Sequence, residues 1–187
     1  MRECGMLLPV ASLPSRYGIG AFSKEAYDFI DTLKAAGQSF WQILPLGPTG
    51  VGDSPYQSFS AFAGNPYFID LEKLAEEGLL TREECLDADF GNDERDIDYK
   101  KIYDGRFPLL RKAYERWKEG RSPELVHELA GRKLGGETRE YCFYMAVKNH
   151  FDSCSWNLWD EGIRLRKPEA LEAYRAMLTD EIGFYEF

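Results

Sequence analysis

Two short, continuous apolar runs and one helical stripe order the first quarter of the chain. "GMLLPV" and "SFWQILPL" are compact runs of the kind that form strands covered on both faces. Between them Ala26, Phe29, Ile30 and Leu33 recur at three- and four-residue spacing on one face. That spacing predicts a helix starting at about Ser23, a favoured N-cap residue, and stopping at Gly37. Two buried strands joined by one helix run parallel, with a right-handed crossover. The beginning of the chain therefore reads as β-α-β and its fold class as α/β.

The pattern then changes twice. From Pro45 to Tyr67 the chain reads "PLGPTGVGDSPYQSFSAFAGNPY", 23 residues with neither helical nor strand period. Irregular loops of this length are uncommon in compact domains and are usually functional or disordered. Beyond it the charged, helix-period segments take over. "DLEKLAEEG" predicts a short amphipathic helix, and "TREEC" carries a capping box in which Thr81 and Glu84 serve each other. "LLRKAYERWKEG", "SPELVHELAG", "ETREYCFYMAVKNHF" and "KPEALEAYRAMLTDEIGFYEF" each predict a further helix, and the acidic segment 87–105 an irregular surface connection. Two parallel strands alone make neither a stable sheet nor a closed barrel. The last residues, "GFYEF", ending at Phe187, carry no stop signal, so the expectation is a truncated piece of a larger protein.

Composition narrows the function classes. With 187 residues, 44% of them hydrophobic and 14% aromatic, the chain is a folded protein of one domain's size. A net charge of −9 argues against nucleic acid and against an anionic membrane surface as partner. No run of 18 apolar residues or signal-peptide pattern is present. Cys4, Cys85, Cys142 and Cys154 lack CxxC spacing, and only His127 and His150 accompany them, so no metal site is expected. Reduced thiols in a cytoplasmic protein are the expectation.

The motifs of nucleotide and serine chemistry are missing. There is no GxSxG elbow, and "GPTGVG" lacks the Lys-Ser/Thr ending of a phosphate-binding loop. Most carboxylates sit beside Lys or Arg on helical segments, where solvation and i,i+4 pairing account for them. Asp53 differs, lying among Gly52, Ser54, Pro55 and Tyr56. It is an Asx-turn residue that stabilises the loop, a polar contact to a ligand, or a brace for Tyr56. Tyr56, fixed behind Pro55, offers a flat apolar face with a hydroxyl at its tip. Such a platform suits a sugar ring, whose C–H faces are apolar and whose rim is hydroxylated. Packing beneath the loop is the other reading of the same residue.

"PLGPTGVGDSPYQSFSAFAGNPYFIDL", with "LLPVASLPSRYGIG" and "AGQSFWQILPLGP" before it, resembles the amylomaltases, the 4-α-glucanotransferases also called disproportionating enzymes. "CFYMAVKNHFDSCSWNLWDEGIRLR" agrees more weakly, through its helical character and the spaced Trp156 and Trp159. The resemblance implies the first two β/α units of a (β/α)8 barrel, with residues 1–70 forming the start of that barrel and its substrate loop. Residues 71–187 would be a helical insertion and a return helix. It implies transfer of α-1,4-glucan segments by a retaining double displacement, with maltodextrins and the remainder of the polypeptide as partners and no cofactor. Tyr56 matches the tyrosine that stacks on sugar at the cleavage subsite, and Ser54 a residue whose backbone contacts the glucan. Asp53 and Gln57 belong to the same motif. The three carboxylates of the family lie on later strands, downstream of Phe187, so no Asp or Glu here is assigned a catalytic role. Val51 replaces a tyrosine that some members use in a second glucan site, and Pro9 stands where members with "HPTSLP" have a histidine. A free-standing, non-catalytic glucan-binding module is the alternative.

Overall fold

The computed structural model describes residues 3–50, 52–91, 93, 95–122, 131 and 133–187. The chain divides into two compact units, residues 1–127 and 128–187. That division falls elsewhere than the boundary at residue 70, which concerns a barrel and its insertion. The helix expected over "SPELVHELAG", with His127, lies mostly outside the described residues, as does Val51.

The first unit opens with β1 (Gly5–Leu7), α1 (Lys24–Ala35) and β2 (Phe40–Gln42). The strands pair in parallel, Gly5 opposite Phe40 and Leu7 opposite Gln42. α1 ends as its sequence dictates: Gly37 takes a φ of 71°, and the amides of Gly37 and Gln38 close on the carbonyls of Lys34 and Leu33. Ser23 holds the N-cap position, but its hydroxyl donates to Glu25 instead of accepting from the helix.

Two expectations for this region are corrected. The strands are three residues long and not buried: Met6 is 47% exposed, Leu7 55% and Phe40 57%. Among the described residues the sheet has only these two strands, so little covers their outer surfaces. Ile30, expected on the packed face of α1, is 46% exposed, whereas Ala26 and Leu33 are buried. What does pack here is a cluster of Val10, Leu13 and Ala26 ringed by Leu8, Phe29, Trp41, Ile43, Leu46 and Phe68. The Trp41 indole donates to the Leu8 carbonyl at 2.8 Å, locking the end of one apolar run to the next.

Beyond the long loop stand α2 (Leu71–Glu76), α3 (Arg82–Asp87) and α4 (Tyr99–Lys118). Asp70 caps α2, and the Thr81–Glu84 capping box is complete. α4 corrects the sequence reading, which has residues up to 105 irregular. Asp98 caps it at the Lys101 amide, and Lys100 pairs with Asp104 one turn on, so charge on this helix marks a solvated face. Its inner face buries Ile102, Arg106, Leu109, Leu110, Ala113 and Tyr114, and Pro108 is accommodated inside it.

Glu84 ties α3 to α4. Beyond its capping role it receives both Arg116 guanidinium nitrogens, at 2.6 and 2.8 Å, and Lys112 at 3.0 Å. The Arg116 hydrogen bonds, outweighing burial and helped by Lys112 and the Thr81 amide, hold the carboxyl at about 2, against an ordinary 4.5. A pKa depressed by folding stabilises above the unfolded value. The contribution is therefore complete above about pH 4.5 and fades as pH falls toward 2. We expect Glu84→Gln to cost about 2 kcal/mol in a pH 7 melt, and the difference to shrink at pH 3.

The second unit contains α5 (Gly136–His150), α6 (Glu161–Arg164), α7 (Pro168–Met177) and α8 (Thr179–Glu186). The single C-terminal helix expected over "KPEALEAYRAMLTDEIGFYEF" is two helices that break at Leu178. There the Thr179 hydroxyl donates to the carbonyls of Arg175 and Ala176, both at 3.0 Å. The break lets α8 lie against α5, where Asn149 donates to Glu181 at 3.0 Å and to the Tyr185 hydroxyl at 2.7 Å. Phe187, at the end of the segment that carries no stop signal in the sequence, flanks α8 and continues its bonding pattern. Its amide donates to the Gly183 carbonyl at 2.9 Å. Phe143, Val147, Trp159 and Ile163 form the core of this unit.

Candidate functional site

The segment from Pro45 to Tyr67 is irregular yet held at many points. The Asn65 amide donates to the Leu46 carbonyl at 2.9 Å, closing the loop at its base. The buried Asn65 side chain accepts from the Tyr67 amide at 3.0 Å, capping a 3₁₀ turn at Pro66–Phe68. Within the loop the Ser58 hydroxyl donates to the Ser60 carbonyl at 2.7 Å, and the Ser60 hydroxyl accepts from the Phe62 and Ala63 amides. The two limbs cross closely at Gly47, where a Cβ would lie 2.2 Å from the Ser58 hydroxyl oxygen. Only glycine fits that crossing.

A second turn presents the sugar-platform candidate. Gly52 and Asp53 both take positive φ, 92° and 52°, and the Asp53 amide donates to the Gly50 carbonyl at 3.1 Å. Ser54 then leads into a 3₁₀ turn at Pro55–Gln57, with Pro55 fixing its first position. Tyr56 stands in that turn 74% exposed, so packing beneath the loop does not account for it. Phe59 and Phe62 are also exposed, at 45% and 65%. These three exposed rings on an otherwise hydrogen-bonded loop make it the candidate binding surface.

Asp53 is placed differently from Tyr56. With Thr49, Asn65, Tyr67 and Tyr99 it lines a cavity of about 170 Å³ that neither Tyr56 nor Ser54 reaches. Burial pushes the Asp53 carboxyl above its ordinary range. Burial, reinforced by the charge on Asp53, pushes the Tyr67 phenol to about 12 and raises Tyr99 as well. The structure thus keeps Asp53, Ser54 and Tyr56 within one turn while giving Asp53 separate surroundings. Thr49, Tyr67 and Tyr99 are the residues the sequence reading passed over. Tyr67 stood in the quoted loop, but Tyr99 comes from the start of α4, and nothing local links it to Asp53.

The remaining candidates take structural positions. Cys85 and Cys142 are buried, and burial pushes both thiols to about 11, away from nucleophilic chemistry. His150 ends α5 edge-on to Phe151 and Tyr174. Phe187, beyond which the resemblance puts the catalytic carboxylates, is partly buried at the end of α8, in the other compact unit from the substrate loop. Among the described residues no cluster of three or more His, Cys, Asp or Glu could hold a metal, and no helix is long and apolar enough to cross a membrane.

Comparison with known proteins places this loop in context. The family model described as 4-alpha-glucanotransferase matches residues 8–187, nearly the whole chain. The chain belongs to the 4-alpha-glucanotransferase family. A family member from Streptococcus pneumoniae serotype 4, named 4-alpha-glucanotransferase, is 46% identical over 185 residues, which cover 98% of this chain and 36% of that protein. The Thermus thermophilus 4-alpha-glucanotransferase is 43% identical over 188 residues, covering all of this chain and 37% of that protein. Among solved structures, the amylomaltase of Streptococcus agalactiae in complex with acarbose superposes with a TM-score of 0.90 at 39% identity. That match covers all of this chain and 38% of the other. As a family member, the chain spans a little over a third of the length of these relatives.

Proposed function

We propose that this chain is part of a 4-α-glucanotransferase, an enzyme that passes α-1,4-glucan segments to the 4-hydroxyl of another glucan or of glucose. In this reading residues 1–70 begin a (β/α)8 barrel, whose active sites lie on the loops following the strands. The loop after β2 is then one wall of the sugar cleft, and residues 71–187 are a helical insertion and a return helix. Tyr56 stacks on the sugar at the point of cleavage, and the Ser54 backbone contacts the glucan next to it. The observation that carries the reading is Tyr56 itself: a large aromatic ring held out to solvent on a turn pinned by proline and hydrogen bonds. The acarbose complex of the Streptococcus agalactiae relative supports a carbohydrate as the ligand.

The chemistry proposed is a retaining double displacement. A carboxylate attacks the anomeric carbon and the glycosidic C–O bond breaks, while a carboxylic acid about 5–5.5 Å away gives its proton to the departing oxygen. The same group then takes the proton of the acceptor hydroxyl as the glycosyl-enzyme bond breaks. We assign both carboxylates, and a third that holds the distorted sugar, to a part of the complete protein downstream of Phe187. Carboxylates here that lie in surface ion pairs, such as Lys24–Asp28 and Lys101–Asp89, support that assignment.

Incubating this chain and the complete protein separately with maltotriose tests the proposal. Glucose and longer maltodextrins are expected from the complete protein and no conversion from the chain alone. Conversion by the chain would put catalytic carboxylates among its own residues. Absence of transfer by the complete protein would remove the activity, and tight glucan binding without turnover would point to a binding module.

A further inference from the structure

Beneath the loop that carries Tyr56 lies the cavity of about 170 Å³, walled by Val10, Leu44 and Pro45 and studded with a few polar groups. Four of these are the Thr49 hydroxyl, the Asp53 carboxyl and the phenols of Tyr67 and Tyr99. The Thr49 oxygen is buried without a hydrogen-bond partner in the structure. The Asp53 carboxyl and the two phenols line the same cavity as that hydroxyl. A buried hydroxyl goes unpaired only at a cost, and in a polar cavity it is ordinarily satisfied through water. At roughly 30 Å³ for each water, the cavity has room for several, with donors and acceptors converging on them.

The backbone supplies the second observation. Asp53 sits at φ 52°, in the left-handed region that side chains other than Asn and Asp rarely occupy, next to Gly52 at 92°. A left-handed residue directly before the Ser54–Pro55–Tyr56 turn sets the direction in which that turn leaves the loop. Something has to hold it there, and the carboxyl lining the cavity is placed to do so.

We propose that Asp53 is a positioning residue that acts from behind the substrate loop. Its carboxyl is anchored through water to Thr49, Tyr67 and Tyr99, and this anchor fixes the turn that presents Tyr56. The inference deepens the glucan-cleft reading and rests on it for the meaning of Tyr56. It gives Asp53 no contact with sugar, and it explains why an aspartate occupies a position where glycine would relax the backbone.

Two substitutions in the complete protein separate the possibilities. Asp53→Gly keeps the left-handed conformation available and removes the anchor, while Asp53→Asn keeps both a polar side chain and tolerance of that conformation. Amide hydrogen exchange at residues 54–58 is expected to rise about tenfold or more in Asp53→Gly and to be largely restored in Asp53→Asn. The glycine variant should lower kcat/KM for maltotriose about tenfold with Tyr56 present and less than about twofold in a Tyr56→Ala background, the non-additivity of residues acting as a unit. Unchanged exchange in Asp53→Gly would overturn the anchor. Equal losses in both backgrounds would show that Asp53 acts independently of Tyr56. An asparagine variant as impaired as the glycine one, with exchange unchanged, would put the carboxylate on the sugar. If the wild-type protein transfers no glucan, the glucan-cleft reading falls and the exchange measurement alone decides the anchor.

Discussion

Replacing Tyr56 by alanine in the complete protein should lower kcat/KM for maltotriose at least tenfold, a loss of about 1.4 kcal/mol in transition-state binding. The size follows from the setting. The ring is 74% exposed, so its removal leaves no cavity in the core, and the fold should melt as before. Any lost activity then belongs to contact with substrate. Tyr56→Phe separates the two parts of the side chain: retention of most activity would credit the ring face, and a loss equal to that of alanine would credit the hydroxyl. An unchanged kcat/KM in Tyr56→Ala would take the residue out of the site.

The largest effect on stability is expected at Arg106. This arginine is 1% exposed in the inner face of α4, and its guanidinium donates to the Ile69 carbonyl at the end of the substrate loop. Its Nε is buried without a partner. Burial pushes its pKa down to about 10, with Asp70 opposing that shift, yet the group still carries its charge at neutral pH. Truncation to alanine would empty a large buried volume and free the loop end, at a cost of about 3 kcal/mol. Methionine fills much of the same space without a charge to desolvate, so Arg106→Met should lose less than half as much. Thermal melts of the three proteins decide it. Equal losses for alanine and methionine would show that the hydrogen bond to Ile69, and not packing, is what Arg106 contributes.

What could be read from the sequence divides by the range of the forces involved. The Thr81–Glu84 capping box and the Gly37 stop were legible because both partners lie within a few residues. The apolar face of α1 was legible as a face, but its covering was not, which is why Ala26 and Leu33 are buried and Ile30 is exposed. The first turns of α4 escaped notice because Asp98 and the Lys100–Asp104 pair resemble an acidic loop until the helix brings them into register. In the candidate site, the exposed Tyr56 and the turn that holds it were legible from the aromatic and turn-forming residues of the loop. The shared cavity of Asp53 and Tyr99 was not legible, since it depends on where α4 begins in space. Arg106 was hidden for the same reason, being one more cation in a charged helix until its burial is known.

The β1–β2 pair has a consequence for handling the protein. Each strand is bonded to the other along one edge, and among the described residues its opposite edge has no strand beside it. A strand edge beside exposed Met6, Leu7 and Phe40 is indifferent to the origin of the strand that pairs with it. A strand tethered in the same polypeptide competes at an effective concentration in the millimolar range, whereas a strand on another molecule competes only at its bulk concentration. Whether this sheet grows inward or outward is thus a contest between tether length and dilution.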